Sequence, residues 1–165
     1  MCFICGMKNV AGVQVFFYER DDGTVLARFT GREVHQGYPG RMHGGVVAGI
    51  LDEAIGRAIR IEHGEAVWGV TAELTVRYRQ PVPLDVELQA VGCITREGSR
   101  LFEGTGEILL PDGSVAVNAS ARYVKLSPQA LSEFDPVREE WQVVPDAMNG
   151  AGELTPISGD LGTAQ

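Results

Sequence analysis

Residues 46–59 read VVAGILDEAIGRAI, and this stretch decides the fold. Val46, Val47, Ile50, Leu51, Ala54, Ile55, Ala58 and Ile59 recur at spacings of three and four, the period of an α-helix, and cover an unusually wide arc of it. A helix that apolar has to be buried. Beyond it the period changes to two: Trp68, Val70, Ala72, Leu74, Val76 and Tyr78 alternate with Gly69, Thr71, Glu73, Thr75, Arg77 and Arg79. This predicts a long strand with one apolar and one polar face, stopped by Pro81 and Pro83. Three further runs, 85–95, 100–110 and 115–125, are divided by Arg96-Glu97-Gly98-Ser99 and Pro111-Asp112-Gly113-Ser114, both good turn sequences. On the N-terminal side, 13–19 and 24–30 read as strands joined at Arg20-Asp21-Asp22-Gly23. Residues 31–42, with Gly37, Pro39 and Gly40 and neither period, read as a loop. Two strands, one helix and four strands leave no second helix for parallel crossovers, so the expected fold is α+β: an antiparallel sheet wrapped around one long central helix. Its open edges predict pairing across a two-fold axis, hence a homodimer at least.

The expected domain spans 1–126, and 127–165 reads as an acidic extension. Ser127-Pro128 can start a helix that Pro136 limits to about two turns, and 146–165, Gly-rich and aperiodic, is expected to be disordered. Most of the formal charge of -8 lies in this extension, where seven acids stand against Arg138 alone. The balance argues against nucleic acid as a partner. No apolar run approaches the length of a membrane helix and no leader pattern opens the sequence, so a cytoplasmic protein with no membrane partner is expected. Cys2, Cys5 and Cys93 make no disulfide framework, in keeping with a reducing compartment.

Chemistry is expected where the loop meets the helix start, because unpaired main-chain N–H groups and the positive end of the helix dipole converge there. Gly44 and Gly45 sit at that junction and let a ligand approach the backbone, so a thioester carbonyl could accept a hydrogen bond from them. Asp52, nine residues after His43, is an acid inside the most apolar helix of the chain, and it requires a reason to be there. Its neighbours three and four residues away are Ala48, Gly49, Ile55 and Gly56, a low stripe expected to admit a substrate or a partner subunit to the carboxylate. Glu53 has Arg57 four residues on and reads as half of a structural ion pair. Asp52 has no such partner in the helix, which suits a general base acting on water or a nucleophile acting on the thioester carbon.

The string His43-Gly44-Gly45-Val-Val-Ala-Gly-Ile-Leu-Asp52-Glu53-Ala54 resembles the hotdog-fold thioesterases of the phenylacetate-degradation type, whose motif is HGG followed by an acid nine positions after the histidine. Cys2-x-x-Cys5-Gly6-x-x-Asn9-x-x-Gly12 and Tyr78-Arg79-Gln80-Pro81-Val82-Pro83 are similar to a bacterial subgroup of that superfamily, so the resemblance covers residues 2–125. It implies an acyl-CoA thioesterase in which the Gly44 N–H polarises the thioester carbonyl and Asp52 activates water or attacks. His43 supports the site. Coenzyme A enters as part of the substrate, and no other cofactor is implied. The family often carries an Asn six residues before the histidine; here that position is Gly37, and Gln36 is the nearest amide. For the Ser or Thr the family places early in the strand after the helix, Thr71 is the candidate.

Arg77 and Arg79, with Arg100 and Arg122, are candidates to meet the phosphates of coenzyme A, against cross-strand partners such as Glu87 or Glu103 as the plainer alternative. Cys2-x-x-Cys5 has the spacing of half a zinc site, but no second pair of cysteines or histidines follows, so no metal is expected and packing of the N-terminal segment is its expected role. His35 is placed at the pocket mouth. Alternative functions are a non-catalytic acyl-binding or lipid-binding module on the same fold, and an acyl-CoA hydratase in which His43 and Asp52 are complemented from a partner subunit. The oligomer is expected to be a dimer or a tetramer.

Overall fold

A computed structural model describes residues 2–131 of the chain. Six strands form one antiparallel sheet: β1 (Phe16–Glu19), β2 (Thr24–Thr30), β5 (Trp68–Tyr78), β6 (Glu87–Glu97), β7 (Leu101–Leu109) and β8 (Val115–Leu126). Their order across the sheet is β1-β2-β6-β7-β8-β5. Between β2 and the helix, a two-stranded ladder of β3 (Gln36–Tyr38) and β4 (Arg41–Met42) follows a single turn of 3-10 helix at Glu33–His35. The long helix α1 (Gly44–Arg57) packs on the sheet, and α2 (Ile59–His63) continues it after Ala58, whose N–H bonds back to the Ile55 carbonyl and tightens the last turn.

The helix is seated where the sheet has no side chains. Gly92 of β6 and Gly106 of β7 are cross-strand partners, with Gly104 two residues along. A Cβ at Gly92 would stand 2.6 Å from the main chain of Ala54, and one at Gly104 2.5 Å from the Ile55 side chain. Close approach is what these positions require, and only glycine permits it. Ile50, Leu51, Ala54, Ile55 and Ile59 are fully buried in consequence, against Ala90, Ile108 and Ala116 of the sheet and the stacked rings of Phe102 and Tyr123, whose centroids are 4.8 Å apart.

Several expected boundaries move. The first strand begins at Phe16 rather than at residue 13, because Gln14 takes φ 60 and breaks the extended chain. Val13 and Val15 instead donate to the carbonyls of Phe3 and Ile4, which ties down the N-terminal segment. Residues 31–42 are an ordered ladder, not an irregular loop. His35 is buried within it rather than lining a pocket mouth: Nδ1 accepts from Arg32 N–H and Nε2 donates to the Ala11 carbonyl. The turn after Ser127 is a 3-10 helix at Pro128–Leu131, and the expected disorder of 146–165 lies outside the described residues.

β5 departs from simple alternation. Val70 pairs with Val124 and Thr71 with Tyr123, but Glu73 pairs with Arg122, so Ala72 is an extra residue and the strand is bulged there. The bulge moves Thr71 from the polar face to the side shared with Leu74 and Val76, and leaves Val70 39% exposed. β5 is also an edge of the sheet, eleven residues long, whereas the opposite edge, β1, has four.

Candidate active site

His43 enters α1 in an extended conformation and caps it, its Nδ1 accepting from the Gly45 N–H at 3.0 Å. The capping bond holds the ring in one tautomer and uses the Gly45 amide, so Gly45, expected to contact substrate, has its donor engaged, and a Cβ there would stand 3.2 Å from the His43 ring. Gly44 is the first helical residue, with no acceptor one turn back in the helix for its own N–H. That N–H is therefore an available donor at the positive end of α1. The Gly44 carbonyl accepts from the Tyr78 hydroxyl at 2.6 Å, which ties the far end of β5 to the start of the helix. Partial burial of Tyr78 raises its phenol above the ordinary range.

Asp52 lies two turns further along. Its Oδ1 accepts from Thr71 Oγ1 at 2.8 Å, and Tyr123 OH, which donates to the Asp52 main-chain carbonyl at 2.8 Å, stands 3.1 Å from the same Oδ1. Thr71 and Tyr123 are cross-strand partners, so one rung of the β5–β8 ladder places two hydroxyls on one carboxylate. Burial, and then the Asp52 charge, push the Tyr123 phenol far up, which keeps it protonated and a donor. Glu53 forms the expected ion pair with Arg57 at 2.8 Å.

Two of the small residues beside Asp52 have close neighbours from within the chain. Ile4 lies 2.9 Å from where a Gly49 side chain would begin, and the Tyr123 ring 3.1 Å from the same point at Gly56. Gly49 thus makes room for Ile4, and Gly56 for the Tyr123 ring that reaches the carboxylate. Gln36 Oε1 accepts from the Gly40 N–H at 2.8 Å and braces the β3–β4 turn. A Cβ at Gly37 would be 3.0 Å from His43 Cα, so the β3–β4 ladder lies against His43 because position 37 has no side chain. Arg79 bonds Asn118 and Arg122 pairs with Glu73 and Glu103, while Arg77 is exposed on β5. Tyr123 and Tyr78 are the site residues that sequence reasoning missed. The signal was present in Tyr123, the one bulky inward residue after Ala119 and Ala121 on β8.

A sequence profile of the thioesterase superfamily matches residues 39–117, from the β3–β4 turn to the start of β8, and so takes in His43, Gly44, Asp52 and Thr71. The chain belongs to the hotdog-fold thioesterase superfamily. Within that family it is 29% identical over 132 residues to the acyl-coenzyme A thioesterase THEM4 of Bos taurus, covering 79% of this chain and 53% of that protein. To the Mus musculus protein of the same name it is 30% identical over 119 residues, covering 68% and 48%. The chain thus spans about half the length of the curated relatives it matches. Among solved structures, a thioesterase superfamily protein 34% identical superposes with a TM-score of 0.61 over 67% of this chain and 55% of its own. A Bacillus halodurans protein crystallised with CoA shares the fold at 24% identity, with a TM-score of 0.63 over 71% of this chain and 77% of its own.

Proposed function

We propose that this chain hydrolyses an acyl-CoA thioester to a free acid and coenzyme A. The observation that carries the reading is the Asp52 carboxylate, set in a helix with a buried apolar face and oriented by two neutral hydroxyls. A water against Asp52 gives its proton to the carboxylate as its oxygen attacks the thioester carbon. The carbonyl oxygen gathers charge and accepts from the Gly44 N–H, collapse breaks the C–S bond, and coenzyme A leaves as the thiolate. In the nucleophilic variant a carboxylate oxygen attacks first and water hydrolyses the resulting anhydride. Arg77, on the same strand as Thr71, and Arg79, just beyond its end, serve the phosphates of coenzyme A. No cofactor beyond the substrate's own is needed.

Gly44 and Asp52 are eight residues apart on α1, roughly 12 Å along its axis. One carbonyl cannot meet both from a single helix. The reading therefore has Gly44 of one subunit facing Asp52 of another in a cytoplasmic homo-oligomer, and the long exposed edge of β5 supports such pairing. The capping role of His43 Nδ1 favours hydrolysis over hydration, because the ring is engaged in holding the helix start. The test is release of free thiol from short, long and aromatic acyl-CoAs. Asp52→Asn is expected to lower kcat by about 10²–10⁴-fold, and near wild-type turnover in that variant would overturn the mechanism. A wild type that binds acyl-CoA and releases no thiol from any of them would make the protein a non-catalytic acyl-binding module.

A further inference from the structure

Behind Asp52, on the other side of the same helix turn, the fold completes a set of groups that sequence spacing left half-made. Cys2 and Cys5 lie in a wound N-terminal segment, and the Cys2, Cys5 and Glu53 ligand atoms all fall within 4.8 Å of one another. Cys2 Sγ donates to Glu53 Oε2 at 3.4 Å. A tetrahedral site with metal–sulfur bonds of about 2.3 Å and a metal–oxygen bond of about 2.0 Å has its sulfur and oxygen ligands roughly 3.5 Å apart. All three residues are half-buried.

The surroundings are already arranged for negative sulfur. The N–H groups of Ile4 and Cys5 both point at Cys2 Sγ, at 3.3 and 3.4 Å. Arg57 donates to Cys5 Sγ at 3.3 Å and to Glu53 Oε1 at 2.8 Å, and its guanidinium lies 4.4 Å over the Phe17 ring. Glu53 is thereby fixed with Oε1 on the arginine and Oε2 turned to the sulfurs. Two thiolates and a carboxylate carry three negative charges, which a divalent cation and Arg57 neutralise.

We propose that Cys2, Cys5 and Glu53 bind a thiolate-preferring divalent cation of the zinc class, with a water in the fourth position, and so clamp the N-terminal segment to α1. Binding displaces the two thiol protons to solvent and involves no change of oxidation state. Among the described residues a second cluster, Glu62, His63 and Glu97, offers no thiolate and has both its carboxylates exposed. The Cys2, Cys5 and Glu53 set escaped the sequence because its third ligand is an acid 48 residues downstream whose evident partner was Arg57.

The probe is cobalt(II), added to the reduced, metal-free full-length chain. A thiolate-to-cobalt charge-transfer absorbance is expected to saturate at one equivalent per chain and to be displaced by zinc. Cys2→Ser and Cys5→Ser should each abolish it, Cys93→Ser should leave it, and Glu53→Gln should weaken cobalt binding by about tenfold or more. Zinc should also raise the unfolding temperature of the wild type and not that of Cys2→Ser, a readout independent of turnover. Asp52→Asn should bind cobalt as the wild type does, so failure of the hydrolytic reading and failure of this one are distinguishable. Absence of the thiolate band from the reduced wild type, its survival in the Cys2→Ser/Cys5→Ser double variant, or unchanged affinity in Glu53→Gln overturns the site.

Discussion

A single main-chain N–H at the start of α1 is assigned the oxyanion, and the backbone there allows it to be removed cleanly. Gly44 occupies the first helical position and His43 before it is extended, with φ -65 and ψ 134. Proline is tolerated at that position and after such a residue, and it lacks the N–H. Gly44→Pro is therefore expected to keep the fold, as far-ultraviolet circular dichroism would report, while kcat falls by about 10²–10³-fold. The added carbons come within 3.3 Å of the Tyr78 hydroxyl, a crowding of a few tenths of an ångström that the exposed tyrosine can yield to. Turnover near wild type would remove Gly44 from the mechanism. Tyr123 offers a second handle at this scale. Its phenol is raised in the fold, so its stabilising effect is whole below the ordinary phenol value of about 10 and is lost as pH climbs beyond it. Tyr123→Phe should lose about 0.5–1.5 kcal/mol of stability at neutral pH. It should also show a shallower alkaline decline of urea midpoint than the wild type. The places of Gly44 and Asp52 on α1 were legible from residue type at a helical spacing, and the supporting role expected of His43 came from the family resemblance. Tyr123 was not legible, because a buried tyrosine on a strand reads as core until the helix across from it is known to carry an acid.

Among the elements, α1 and β5 do most to shape the site, and they were unequally readable. The helix announced itself by period, and its seat on the sheet is explained by Gly92, Gly104 and Gly106, which looked like weak points in otherwise good strands. Gly92→Ala puts a carbon 2.6 Å from the Ala54 main chain, which cannot be relieved by turning a side chain. We expect it to cost about 1–3 kcal/mol or more by the overpacking route, read as a lower urea midpoint with an unchanged slope. Substitution of Gly23, with nothing within 4 Å, should cost through its φ of +78 alone. β5 was legible as a strand but not in phase. Strict alternation assigned Thr71 to the polar face, and the one-residue bulge at Ala72 reverses that assignment for the strand's first half. Nothing in a run of Val, Thr, Ala, Glu and Leu marks which residue will be the extra one. That depends on Tyr123 opposite and on the pull of Asp52.

At the scale of the whole molecule, the separation of Gly44 from Asp52 makes a prediction about chain stoichiometry that no single-chain variant can test. If each site takes its N–H from one subunit and its carboxylate from another, two inactive chains can repair each other. A Gly44→Pro chain keeps Asp52, and an Asp52→Asn chain keeps Gly44. In a mixed dimer one of the two sites then receives both intact groups and the other receives neither. Equal amounts unfolded together and refolded should assort at random, so half the dimers are mixed and total thiol release recovers to about a quarter of the wild-type rate. Each variant refolded alone should stay inactive. A site contained within one chain predicts no recovery at any mixing ratio, because every chain in the mixture carries one lesion. The exposed edge of β5, with Val70 39% and Tyr78 51% exposed, is where the second copy should pair. Val70→Lys should accordingly reduce the recovered activity in proportion to the monomer seen by sedimentation.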